Sequence, residues 1–443
     1  MSRARAYDRE IVAIALPALG ALTAEPLYLL ADTAIVGHLG TAQLAALALA
    51  ATALGAVTTM FNFLVYGTTS AVARAHGGGE HDRAHELGGQ AVWLGLAIGC
   101  LLAIATVALA GPATSLLGGH GHVAALAARY LRISAPGLPA VLLATAGQGY
   151  LRGVSQLRRP LVIVIAANAA NLVLELALVY GARLGLDGSA LGTVIAQLGM
   201  GIAFAAAVWP LPRPQLRLMS GLARVGAEIL VRTASLYASF VVASAVLARI
   251  GKASLGAHQV AFQLFNLIAL VLDALAIAGQ VMVARMLGAG DGEGAYAVGR
   301  RLTVLSVAGG IGVGALLGAL YGPLPHVFTT DPAVIGRLHA IWPLLALMQP
   351  IGAAVFAFDG ILIGAGDTLY LAIAMFAASV FIYVPVALLA LELHWGIVGV
   401  WSGLVGLIAV RCATTGVRFV RRRWIVLGST HPVRGAPRKG RAA

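Results

Sequence analysis

Runs of about 20 apolar residues are long enough to cross the hydrocarbon of a bilayer, and this chain contains twelve of them. They cover 11–36, 43–70, 89–111, 123–150, 160–182, 188–208, 226–249, 257–286, 302–322, 336–364, 370–391 and 396–418. Composition agrees, with 60% hydrophobic and 11% charged residues, against about 25% charged in a soluble domain. The 55 glycines suit close helix packing in lipid. The expected fold class is an all-α polytopic membrane protein with 12 transmembrane helices. The N-terminal apolar run lacks a clean cleavage site and reads as a retained first helix. Cys100 and Cys412 both lie in apolar segments and are expected as free thiols.

Positive charge is unevenly placed. Arginines gather in alternate gaps, at Arg3, Arg5 and Arg9, at Arg74 and Arg83, at Arg152, Arg158 and Arg159, at Arg213, Arg217 and Arg224, and at Arg285, Arg300 and Arg301. The end of the chain adds six more arginines and a lysine, Arg421, Arg422, Arg423, Arg434, Arg438, Lys439 and Arg441. Positively charged loops stay on the cytoplasmic side, so both termini are expected there, in the inner (plasma) membrane, with an even number of spans. The basic tail reads as an anchor beside anionic lipid rather than a nucleic-acid site.

The sequence is written twice. Gly40 and Leu44 match Gly251 and Leu255, "VARAHGGGE" at 72–80 matches "VARMLGAGD" at 283–291, Gly153 matches Gly364, and "GLDG" at 185–188 matches "GIVG" at 396–399, all 211 residues apart. Each half then holds six helices. Because six is even, the copies enter the membrane in the same orientation, a parallel repeat typical of secondary transporters. The expected division is an N-terminal lobe at 1–208, a Pro-rich basic linker at 209–222, a C-terminal lobe at 223–420 and a basic tail at 421–443.

Function is expected where the copies disagree. Glu25, Tyr28 and Asp32 share one face of the first helix, and Asn168, Asn171 and Glu175 share one face of the fifth. Their second-half counterparts are Leu236, Ser239, Ala243, Ser379, Ile382 and Val386. Intramembrane carboxyls are costly and usually face a bundle interior or a wet cavity, so the acidic stripes point to a polar chamber in the first half. The second half offers Gln259, Gln263, Asn266 and Asp273 on one helix face, and Asp359 on another helix. Asp273 pairs with Asn62 and Asp359 with Gln148; polar residues in both copies are expected to line a central cavity.

Several patterns carry less than they suggest. "GAGDGEG" at 288–294 follows a membrane helix rather than a strand, which argues against a nucleotide site. His81 and His85 lie in a loop read as solvated, and no metal site is expected. No P-loop is present, so ATP is not expected to drive the chain, and no cofactor is expected.

"DTAIVGHLGTAQLAALALA" at 32–50 resembles the first-helix signature of multidrug and toxic compound extrusion (MATE) transporters. "LRGVSQLRRP" at 151–160, "NLVLELALVYGARLGLDGSALGTVIAQ" at 171–197 and "GAHQVAFQLFN" at 256–266 agree with it. The wording is most similar to the branch of the DNA-damage-inducible protein F. The resemblance implies a V of two six-helix lobes that expels organic, mainly cationic, compounds in exchange for H+ or Na+. It places the ion-linked acid on Asp32, the fifth-helix pair on Asn171 and Glu175, their partners on Tyr130 and Thr193, and a polar pair on Thr145 and Gln148. A seventh-helix acid of one bacterial branch would fall near Leu236 and is absent. Pro26 would act as a hinge for helix 1, and Tyr28, Tyr130, Met60 and Phe61 would supply adaptable and cation–π surface for small-molecule organic cations or other amphipathic drugs. No obligate protein partner is expected. A lipid-linked-precursor flippase, which usually has two further helices, and an intramembrane enzyme are the alternatives.

Overall fold

The computed structural model describes residues 3–429. It is helical, and its long helices run α1 (Arg3–Gly37), α2 (Thr41–Gly77), α3 (His81–Leu116), α4 (121–153), α5 (Arg158–Gly181) and α6 (Leu186–Ala207). The second half continues with α7 (Leu216–Ile250), α8 (Lys252–Gly288), α9 (Gly292–Ala319), α10 (Pro332–Ala365), α11 (Thr368–Glu392) and α12 (Gly396–Val420). A short helix, Pro323–Phe328, joins α9 to α10. Eleven of the twelve are each long and apolar enough to cross a membrane. The exception is α4, which a 3₁₀ turn at Ala135–Gly137 divides into Gly121–Ser134 and Leu138–Gly153. Two prolines explain the division: Pro136 and Pro139 supply no backbone donor at the junction. Large apolar side chains such as Leu16, Leu101, Ile104, Ile202 and Val241 stand exposed on the outside, as a lipid-facing surface requires.

The 211-residue repeat is visible in the backbone. Five pairs of positive-φ residues obey it: Gly40 and Gly251, Gly79 and Gly290, Ser155 and Gly366, Arg183 and His394, Gly185 and Gly396. The interface between halves obeys it too. A Cβ on Gly77 would lie 2.0 Å from the Arg285 carbonyl oxygen, and one on Gly288 would lie 2.0 Å from that of Arg74. Only glycine permits backbones so close, and this reciprocal contact marks a pseudo-two-fold axis.

The halves join at one end and part at the other. Near the termini they share one core, with Ile11, Ile14, Phe63 and Leu64 packing with Ile229, Ile277, Val281 and Leu302. Ion pairs at the same end bind α1 to the second half: Asp8 with Arg301 at 2.6 and 2.7 Å, and Glu10 with Arg285. Away from the termini each half has its own core, around Val36, Leu47, Tyr130 and Leu186 in the first and Leu247, Trp342, Tyr383 and Trp401 in the second. Two lobes hinged at one end form the expected V.

One boundary differs from the sequence reading. Helix α7 begins at Leu216, inside the expected 209–222 linker, because Met219 and Leu222 pack on the shared core while Arg217 and Arg224, on either side of them, stay exposed. The first residues of the tail dock on the protein: Trp424 is buried, the Gly428 N–H donates to the Leu287 carbonyl at 3.0 Å, and Arg74 donates to the Val426 carbonyl at 2.9 Å. Arg434, Arg438, Lys439 and Arg441 lie outside the described residues.

Candidate functional site

The N lobe gathers the first-half stripe where α1, α5 and α6 meet. Gly188 and Gly192 make this possible. A Cβ on Gly188 would come within 2.8 Å of the Leu178 backbone, and one on Gly192 within 3.2 Å of the Glu175 nitrogen. With α6 drawn so close to α5, the residue after each glycine, Ser189 and Thr193, faces the acids. The Ser189 hydroxyl donates to Asp32 at 2.8 Å. The Asn171 amide donates to the Thr193 hydroxyl at 3.2 Å, and Tyr28 shares a 3.0 Å hydrogen bond with the same hydroxyl.

Glu175 lies against Asp32 and Ser189. Both acids are buried, with 3% of Asp32 and 1% of Glu175 exposed, and among the described residues neither Glu175 oxygen has a hydrogen-bond donor. Among the described residues neither carboxyl makes an ion pair, and Tyr130 closes the site from α4. Two adjacent carboxylates without a counter-charge repel each other, and a proton or cation between them relieves the repulsion.

Helix α1 is fastened to α5 on both sides of this pair. Asn168 donates to the Ala24 carbonyl at 3.1 Å and Tyr180 to the Ile35 carbonyl at 2.8 Å. The first fastener is repeated in the C lobe, where Ser379 donates to the Ser235 carbonyl at 3.1 Å, 211 residues on in both partners. Asn168 therefore holds helices together in a way both lobes need. Pro26 sits two residues past Ala24, inside a helix that runs unbroken from Arg3 to Gly37.

A cleft of about 300 Å³ opens beside the acids. Glu25, Tyr28, Asn62, Thr145 and Gln148 line it, together with Asn171 and Thr193. Met60 and Phe61 stand outside it, at the break that divides α2 into Thr41–Met60 and Phe63–Gly77; Phe61 packs on the shared core, its ring 5.5 Å from that of Phe63. Arg152, which also lines this cleft, approaches a polar cluster at the lobe interface, where the Tyr66 hydroxyl donates to Asp273 at 2.8 Å.

The C lobe has its own cleft, about 180 Å³, between α7, α8, α10 and α12. Asn266 and Asp359 line it; Gln259 and Gln263 are exposed on α8 and line neither cleft, and Asp273 stays at the interface. Asp359 is not a free acid. Arg411 donates to its two oxygens at 2.9 and 2.6 Å, and Arg232 also pairs with it. Neither arginine was singled out in the sequence, although both lie inside apolar spans and intramembrane charge was the available signal. Ser189 and Tyr66 had no such signal, since a hydroxyl inside a membrane helix is common.

The MatE family profile matches residues 17–176 and then matches again over 229–389, once per lobe. The chain belongs to the MatE family. Similar curated proteins include Protein DETOXIFICATION 44, chloroplastic, of Arabidopsis thaliana, 30% identical and covering 95% of this chain and 84% of that protein. DNA damage-inducible protein F of Escherichia coli is 27% identical, covering 94% and 93%. A crystal structure of a Vibrio cholerae MATE transporter in the bent form shares the fold, with a TM-score of 0.87 at 19% identity over 95% of this chain and 98% of that one. MatE proteins are membrane transporters of small molecules and not enzymes. This chain is accordingly a multi-pass efflux transporter of the multidrug and toxic compound extrusion kind.

Proposed function

We propose that this MatE protein is an antiporter of the plasma membrane, with both termini cytoplasmic, that expels organic cations in exchange for protons. Asp32 and Glu175 form the coupling pair. The observation that carries this reading is the buried, adjacent pair itself: Ser189 satisfies one oxygen of Asp32, and Glu175 has no donor. A pair of this kind holds a proton, a metal cation or an organic cation, but not two at once, and that competition is what exchange requires.

The cleft supplies a place for the competing cation, with Glu25, Tyr28 and polar side chains along one wall. Loading a proton changes what α1 must satisfy between its two fasteners. Pro26 provides no N–H to the Leu22 carbonyl, so the helix is easiest to bend there. A bend displaces Tyr28 from Thr193, narrows the cleft and releases the cargo toward the open end of the V.

The ion is tested in proteoliposomes loaded with ethidium. A pH gradient alone should drive efflux at several times the leak rate, and a sodium gradient alone should not exceed the leak. Efflux driven by sodium at fixed pH would overturn the proton assignment.

A further inference from the structure

The two clefts occupy corresponding places in the lobes but have opposite chemistry. Ala21 and Met200 line the N-lobe cleft; their counterparts 211 residues on, Arg232 and Arg411, line the C-lobe cleft. The same shift puts His258 opposite Leu47 and Trp401 opposite Ala190. Buried carboxyls without a counter-charge mark the N lobe, and buried arginines mark the C lobe.

Three polar nitrogens of the residues lining the C-lobe cleft lack a partner among the described residues: Nε of Arg232, Nε1 of Trp401 and Nδ1 of His258. Trp401 is 2% exposed and His258 1%. The indole and guanidinium nitrogens can only donate, so the group that satisfies them must accept. Formal charge points the same way. Arg232 and Arg411 face the single acid Asp359, and adding the neighbouring interface pair Arg152 and Asp273 still leaves one positive charge in excess. The opposite wall is aromatic: the rings of Phe240 and Phe262 lie 4.7 Å apart, and the His258 ring stacks on Phe262 at 5.8 Å.

We propose that this cleft is a second ligand site, built for an amphipathic organic monoanion. The anionic head sits at Arg232 and Trp401, and the apolar body lies against Phe240 and Phe262. The counter-charge relieves the excess of buried cation, which is otherwise costly, and the aromatic wall gives the body its burial. The site does not rest on the proton-coupling reading, because it makes no use of the N-lobe acids.

Equilibrium dialysis of the full-length protein in nanodiscs, with empty nanodiscs as blank, tests this. The probes are 1-naphthalenesulfonate and 1-naphthylmethylammonium, which share a ring body and differ in charge. The sulfonate should bind saturably, one per protein, and at least tenfold more tightly than the ammonium probe. Gly352→Phe should abolish that binding, since Gly352 lines the cleft and a Cβ there meets nothing within 4 Å. Trp401→Phe, which keeps a ring and removes the donor, should weaken it several-fold and decides the matter if the first variant does not fold. No saturable excess over empty nanodiscs, equal or tighter binding of the ammonium probe, or binding unchanged in the variants would overturn the proposal.

Discussion

Asp32→Asn should reduce pH-driven ethidium efflux in proteoliposomes to the level of protein-free vesicles, while the purified variant keeps its yield and melting temperature. The substitution is close to isosteric, and the amide oxygen still accepts from the Ser189 hydroxyl 2.8 Å away. It also removes a buried charge that lies beside Glu175, so folding should be neutral or slightly favoured. What is lost is the ability to take up and release a proton, and with it the link between gradient and cargo. Efflux at the wild-type rate would remove Asp32 from the mechanism. Loss of efflux together with loss of folded protein would mean that Asp32 is a structural acid instead.

The second large effect concerns stability. Asp359→Ala should destabilise the protein by about 3–5 kcal/mol, the usual cost of removing one partner from a buried ion pair. Arg411 and Arg232 would then sit beside each other with no counter-charge, their side chains only 7% and 15% exposed. The measurement is thermal unfolding in detergent, where Asp359→Ala should melt well below wild type. The triple variant Arg232→Met, Asp359→Leu, Arg411→Met should recover most of the loss, because a well-packed apolar replacement of a buried ion triad is often neutral. An unchanged melting temperature in Asp359→Ala would show that the triad is solvated.

Much of this architecture was legible in the sequence, for identifiable reasons. Spans were readable because crossing hydrocarbon demands length and apolar composition together. The repeat was readable because its packing glycines and turns cannot drift without losing contacts such as that of Gly77 with Arg285. The same register then exposed Asp32 and Glu175 as residues one lobe has and the other lacks, and the fold brings them together. The arginine partners of Asp359 were not found, because they lie 127 and 52 residues away and helical periodicity relates only near neighbours. Read alone, Asp359 offered an acid to the cavity; in the fold its oxygens are already taken. The start of α7 was misplaced because a basic, Pro-rich segment has the composition of a linker, while Met219 and Leu222 find the core only in three dimensions.

The most direct test of the coupling pair needs no membrane gradient. Purified protein in weakly buffered detergent solution is mixed with ethidium, and an indicator dye follows the pH. Competition at the Asp32–Glu175 pair requires release of about one proton per ethidium bound by the wild-type protein, and none by Asp32→Asn. Ethidium binding with no proton released, or an equal release from the variant, would contradict it.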